Sequence, residues 1–567
     1  MAETQTDRRW LHAYADGVPA DVAAPDATLN EVFERAAERF GPRVALDFMG
    51  AETTYAELAA RVARAAEGLR RLGVRPGERV ALVLPNCPPH VVAFYAVLRL
   101  GAVVVEHNPL YTADELAQQL ADSGARVVVC WGKVAETVHA VRARTSVQEI
   151  VAVDLAAALP RAKRLALRLP VAKARAARTE LQGPLPPGAH RWERLLRAPA
   201  LDPTTPGPTL DDVAVLQYTG GTTGTPKGAI LTHANLAGNA AQGHAWIPGI
   251  REGEEVFYAV LPLFHVYGLT LCLTFAIRVG ATLVLFPRFD AEQLLAAFRR
   301  KPATFLPGVP PLYERLASAA ETAGVALRSV RYAFSGAMPL PPATVQRWEA
   351  LTGGLLVEGY GMSESSPITL ANPISPARRP GTVGVPFPST RIRLVDPEDP
   401  ATEVAQGQPG ELLVQGPQVF QGYWNAPEAT AQALLEGGWL RTGDVATVDD
   451  DGFVTIVDRI KEIIITGGFN VYPSEVEQVL RGHEAVEEVA VVGVPGEHGG
   501  EEVVAAVVPA AGASPDQETL RGWARERLAG YKTPSRVVLV DELPRTQVGK
   551  VLRRQLREQL LARDDAG

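Results

Sequence analysis

The chain has 567 residues, 47% of them hydrophobic and 21% charged, with a formal net charge of −8. That length allows three or four domains with sizeable cores, and the acidic balance argues against a dedicated nucleic-acid binder. Cys87, Cys130 and Cys272 fit no zinc or disulfide spacing and read as buried thiols in a reducing compartment.

Met1 to Trp10 is polar and charged, without the apolar core of a secretory signal. From there the chain alternates between strand-like and helix-like stretches. Arg79–Pro85, Ala102–Val105, Ala125–Cys130 and Ile150–Val153 read as buried strands, and His90–Leu100 as a helix. This rhythm predicts layered α/β folding with parallel pairing. Leu155–Arg178 stands apart: Arg161, Lys163, Arg164, Arg168, Lys173, Arg175 and Arg178 lie among leucines with no acid. Two readings fit it, a solvated pair of surface helices broken at Pro170 or a peripheral contact of 155–178 with an anionic membrane.

Val213–Tyr218 is β-prone and feeds Thr219, Gly220, Gly221, Thr222, Thr223, Gly224 and Thr225, followed by Pro226, Lys227 and Gly228. Glycines let backbone N–H groups turn toward an anion and threonines add donors, so the loop suits a polyphosphate. It is not a Walker A loop, because Pro226 precedes the lysine and Gly228 follows it, which disfavours a P-loop kinase. Val256–Ile277 carries no Lys, Arg, Asp or Glu and is long enough to span a bilayer, but Pro262, His265 and Gly268 interrupt it. It reads as a buried strand, loop and helix. The alternation continues through Gly280–Phe286, Ala291–Arg300, Thr304–Leu306 and Val330–Phe334. From Thr390 short strands such as Arg391–Val395 and Gly410–Val414 predict a small β unit, and a compact α+β block begins near Lys461.

The string LQYTGGTTGTPKGAILTHANL at 216–236 is joined in order by YAVLPLFHVYGL (258–269), SGAMP (335–339), EGYGMSESSP (358–367), GYWNAPEAT (422–430), WLRTGD (439–444), DRIKEIIITGGFNVYPSEVE (458–477) and DELPRTQVGKVLRR (541–554). Together they resemble the adenylate-forming superfamily of acyl-CoA synthetases, luciferases and peptide-synthetase adenylation domains. Asn108–Tyr111 and the glycine-containing string before Glu477 resemble bacterial long-chain fatty acid–CoA ligases.

The resemblance implies a large N-terminal domain (1–459) of layered α/β subdomains plus a small β unit, and a small mobile α+β domain (460–567). It implies activation of a fatty acid by ATP to acyl-AMP, then thioester formation with coenzyme A, with Mg²⁺ as the metal. Glu364 matches the metal-binding glutamate, with Thr219 as a second oxygen, and Ser363 stands where the family usually has threonine. Ser335, Gly336 and Ala337 match the wall of the adenine pocket; Glu358, Gly359, Tyr360 and Gly361 match the strip beneath the base. Asp444 matches the ribose ligand, with Arg459 beside it. Lys550 matches the lysine that serves adenylation, Lys461 the hinge, and Gly467, Gly468 and Phe469 the loop of the thioester step. His265 is either a gate to the acyl tunnel or a core histidine at a kink; Tyr267, Gly268 and Val309 are expected to line the acyl pocket. Taken singly, Asp444 could close a turn, Glu364 cap a helix, Arg459 form a surface ion pair and Lys550 be solvated.

The tail ends soon after Lys550, so the acceptor is expected to be diffusible or on another chain. An aryl- or 4-coumarate-type CoA ligase and an acyl-AMP ligase loading a carrier protein remain alternatives. So does a membrane-docked lipid binder without catalysis, against which Lys550, Glu364 and Asp444 speak. A cytoplasmic protein is expected, peripheral at the inner face of the membrane if 155–178 docks there; a homodimer is left open.

Overall fold

The computed structural model describes residues 8–219, 226–466, 469–496, 501–546 and 549–564. Packing divides the chain into two units, residues 1–391 with 414–440 and residues 392–413 with 441–567. That division follows contacts, whereas the expected boundary after residue 459 concerns a pivot, a different property.

In the first unit the β-then-α rhythm produces two sheets. Arg79–Val83, Val103–Glu106, Val127–Trp131, Glu149–Val153 and Val213–Thr219 pair in parallel in one, with Lys227–Thr232 antiparallel at its edge. Residues 80–83 and 103–106 are buried throughout, as strands covered by helices on both faces must be. In the other sheet Val44–Phe48, Thr282–Leu285, Val256–Ala259, Phe305–Gly308, Tyr332–Ser335 and Leu355–Gly361 run parallel. Phe257, Phe305 and Phe334 stack across its strands with ring centroids 4.2 and 5.4 Å apart. Asn86 ties the two sheets together: its amide donates to the carbonyls of Ala259 and Leu261, and its oxygen accepts from the Leu263 N–H. Several helices begin on capping boxes (Thr28 with Glu31, Thr54 with Glu57, Thr112 with Glu115), each cap worth about 1 kcal/mol.

The uncharged stretch 256–277 is a buried strand, a loop and a helical run from Val266 to Arg278 that is π-helical over Leu269–Thr274. No helix among the described residues is long and apolar enough to cross a membrane. The basic stretch forms a 3₁₀ turn at Leu155–Ala158 and two helices, Arg161–Ala166 and Ala172–Leu181, interrupted around Pro170. Cys87, Cys130 and Cys272 are free and buried.

In the second unit, residues 392–395, 410–413, 441–448 and 454–459 lie in that order in a small sheet. The C-terminal block is a hairpin, Ile464–Thr466 with Phe469–Val471, and a sheet of Val486–Pro495, Glu501–Pro509 and Arg536–Leu539. Period-two alternation in the 486–495 strand sends Val489 and Val491 to a cluster with Val476, Leu480 and Leu520, and Ala490, Val492 and Val494 to one with Leu556 and Leu560. The sheet is therefore covered on both faces.

Candidate active site

In the first unit the expected residues gather at the carboxyl ends of parallel strands, where α/β sheets offer their ligand crevice. Gly308, Ser335 and Glu358 are in register across three adjacent strands. Tyr267, half-buried, donates its hydroxyl toward the carbonyls of Gly308 and Phe334 at 3.2 and 2.9 Å, and its ring faces Gly336. The tyrosine expected in the acyl pocket and the expected adenine wall are thus packed together. Ala337 has φ +67°, a strained turn for a residue with a side chain. The Ser335 hydroxyl is fully buried and has no hydrogen-bond partner among the described residues.

Burial raises the Glu358 carboxyl to about 8, only partly offset by the Leu340 N–H that it accepts. It is largely protonated at neutral pH and so can donate a hydrogen bond. Gly359 and Tyr360 continue the strand against Ile368–Ala371. A Cβ at Gly361 would collide with the Pro367 carbonyl, and one at Gly268 with that of Pro262; both positions admit only hydrogen. Val309 is buried at the start of a helix.

Ser363, Glu364 and Ser365 form a short 3₁₀ turn. Glu364 is 7% exposed, and its Oε1 accepts the Tyr423 hydroxyl at 2.6 Å. The Tyr423 ring lies 5.3 Å from the Lys227 ammonium, a cation–π contact. Lys227 pairs with Thr219 across the two strands that flank the threonine–glycine loop. Gly220, Gly221, Thr222, Thr223, Gly224 and Thr225 lie outside the described residues. The flanks of the loop are therefore connected to the expected metal-binding carboxylate through Tyr423, which motif reading did not single out. His265 accepts the Tyr267 N–H at 3.3 Å on Nδ1 and caps the helical run; burial lowers it to about 4, so the imidazole is neutral at pH 7.

In the second unit Asp444 and Arg459 face each other across paired strands, Arg459 Nε 3.0 Å from Asp444 Oδ1. The turn before Asp444 is built from Thr442, whose hydroxyl donates to the Leu412 carbonyl and accepts the Asp444 N–H, and from Gly443 at φ +70°. The Lys550 N–H donates to the Thr546 hydroxyl, and Gly549 before it has φ +83°. Burial first, then the charge of Arg459, lower the Lys550 ammonium to about 8, against the opposing pull of Glu462 and Asp444. Lys550, Asp444 and Arg459 are thus close enough to influence one another.

Arg553, also missed by motif reading, is mostly buried and pairs with Glu462 and, at 2.7 Å, with Glu477. It fastens the helix after Lys550 to the segment containing Lys461, which is exposed in a 3₁₀ turn. Gly467 and Gly468 lie outside the described residues, as does the side chain of Phe469. Among the described residues no group of three or more His, Cys, Asp or Glu could hold a metal. Magnesium needs no such cage, because one or two carboxylates with substrate phosphates commonly bind it. The hard oxygens of Glu364 and Thr219 fit that set.

A family model described as "AMP-binding enzyme" matches residues 33–424, and "AMP-binding enzyme C-terminal domain" matches 475–550. A protein of Bacillus subtilis named long-chain-fatty-acid–CoA ligase is 39% identical over 98% of both chains. A feruloyl-CoA synthase of Amycolatopsis is 39% identical over 90% of this chain and 94% of its own. The crystal structure of ATP-bound MatB from Rhodopseudomonas palustris superposes with TM-score 0.81 at 32% identity, covering 94% of this chain and 99% of MatB. With both domains matched and the likeness running nearly end to end, the chain belongs to the adenylate-forming, AMP-binding enzyme family, the acyl-CoA synthetase superfamily.

Proposed function

We propose that the protein is a cytoplasmic long-chain fatty acid–CoA ligase. The fatty carboxylate attacks the α-phosphorus of ATP, forming acyl-AMP and releasing pyrophosphate. The coenzyme A thiol then gives up its proton, attacks the acyl carbon and expels AMP. What supports this reading most is the likeness over 98% of the chain to relatives named for that activity, among them one from Yersinia pestis at 40% identity.

The first step brings two anions together, so charge must be neutralised and the displacement aligned. Thr219 to Thr225 would hold the triphosphate and Lys227 would contact it. Glu364 and Thr219 would hold Mg²⁺, which when bound neutralises phosphate charge. Ser335 to Ala337 and Glu358 to Gly361 would take the adenine, and Asp444 would accept hydrogen bonds from the ribose hydroxyls with Arg459 beside it. The Lys550 ammonium would stabilise charge at the bridging oxygen. For the second step the C-terminal domain would pivot at Lys461, exchanging Lys550 for the 467–469 loop. His265, neutral, would stand between the acyl pocket of Tyr267, Gly268 and Val309 and the adenylate.

The likeness to feruloyl-CoA synthase supports a second reading, activation of an aromatic acid. Pyrophosphate release across aliphatic acids of increasing length and aromatic acids, with CoA present, separates the two. Turnover that rises with aliphatic length is expected; preference for the aromatic acids would replace the first reading with the second.

A further inference from the structure

The connection from strand Glu149–Val153 to the parallel strand His190–Arg191 occupies residues 154–189. A crossover needs only about a dozen residues. Its two ends are packed as a crossover should be. Leu155, Ala156, Leu159 and Ala174 are buried, the Gln182 amide donates to Asp154 Oδ2 at 2.8 Å, and the Trp131 indole donates to the Leu181 carbonyl at 3.0 Å. The middle is not. Leu165, Leu169 and Val171 are 63, 53 and 51% exposed, within seven residues of one another. Leu165 and Leu169 are four apart on a helix continued by the turn bonds Leu167 N–H to Lys163 O and Arg168 N–H to Leu165 O.

Of the charges around them, Lys163 donates to the Met49 carbonyl. Arg161, Arg164, Arg168, Lys173 and Arg175 form no ion pair among the described residues, and no acid stands between Leu155 and Arg178. Arginines elsewhere in the unit, such as Arg70, Arg71 and Arg347, are paired. The chain as a whole is negative, so an anionic surface would be repelled by most of the molecule and attracted here. An arm whose ends are fixed, whose middle exposes three large apolar side chains, and whose rim is cationic has the make-up of an interfacial anchor.

We propose that residues 160–175 seat this protein on an anionic lipid bilayer. Leu165, Leu169 and Val171 enter the head-group boundary, while the flanking arginines and lysine meet lipid phosphates. The contact is peripheral. It does not depend on the ligase reading, because it is measured without ATP, acid or CoA.

The test is co-sedimentation of the full chain with phosphatidylcholine vesicles, with and without phosphatidylglycerol. Binding is expected only with phosphatidylglycerol, and weaker as salt rises. The triple variant L165S/L169S/V171S should bind about tenfold more weakly, and R161Q/R164Q/R168Q likewise. These side chains are exposed, so both variants should keep the wild-type melting temperature. Failure of the wild-type protein to bind phosphatidylglycerol vesicles overturns the proposal. So does undiminished binding by the serine variant, which would leave only a patch for polyanions, as equal affinity of both proteins for heparin would then show.

Discussion

Tyr423 directs its hydroxyl at Glu364 and its ring at Lys227, and so connects a carboxylate to a cation that lies far from it in sequence. Without that hydroxyl Glu364 keeps its burial but loses a donor that fixes its orientation. Tyr423→Phe is expected to raise the magnesium concentration needed for half-maximal ATP–pyrophosphate exchange about fivefold, with little change in melting temperature. A tyrosine that merely packs would leave the magnesium dependence unmoved. Glu358 allows a prediction in pH. An unfolded carboxyl ionises near 4.5, and this one only near 8 in the folded chain. Between those values the folded state holds the extra proton, so stability falls as pH rises through the window and is level above it. Glu358→Gln removes the titration and can still accept the Leu340 N–H. Its melting temperature should therefore gain on the wild type as pH rises from about 4.5 to about 8; a constant gap would contradict the raised value. At this scale the sequence was legible in part. Glu364, Asp444 and Lys550 stand in recognisable strings, but the facing of Tyr423 onto a residue 59 positions earlier depends on how two loops meet, which no spacing encodes.

Elements were legible where burial is two-sided. Strands rich in valine, such as Arg79–Val83 and Val127–Trp131, could be read within a residue or two, because a parallel sheet needs continuous apolar runs. The π-helical turn at Leu269–Thr274 could not, since its apolar residues fit an ordinary buried helix equally well. The strand Leu355–Gly361 is where element geometry most directly shapes the expected site. It carries Glu358 to Gly361 and stops where the chain turns into the 3₁₀ segment of Ser363 and Glu364. Gly361 permits that turn by letting the Pro367 carbonyl occupy the place of a side chain. Gly361→Ala should cost about 2 kcal/mol or more in a denaturant melt, and should weaken nucleotide binding along with stability. Wild-type stability for this variant would mean that the close approach is not maintained in solution.

At the scale of the molecule, the expected site residues divide between two units, with Glu364 in one and Lys550 in the other. If the proposed roles hold, the two half-reactions are separable by mutation. On the proposed function Lys550 would be needed where the carboxylate meets the α-phosphate, and acyl-AMP supplied ready-made has passed that point. Lys550→Ala should abolish acid-dependent pyrophosphate release, a loss of about a thousandfold if the ammonium acts as other charge-stabilising donors do, while thioester formation from added acyl-AMP stays largely intact. In the sequence a lysine before a basic helix is conspicuous only as part of its string. Its depressed titration was not readable, as it comes from burial beside Arg459, a consequence of how the block folds. That depression adds a second readout. An ammonium near 8 is mostly charged at neutral pH and is lost as pH rises. Adenylation should therefore fall on the alkaline side with a midpoint near 8, and the thioester step measured from acyl-AMP should lack that limb. Equal loss of both half-reactions in Lys550→Ala, or one alkaline limb common to both, would assign Lys550 to the integrity of the C-terminal block and leave the charge at the bridging oxygen without a donor.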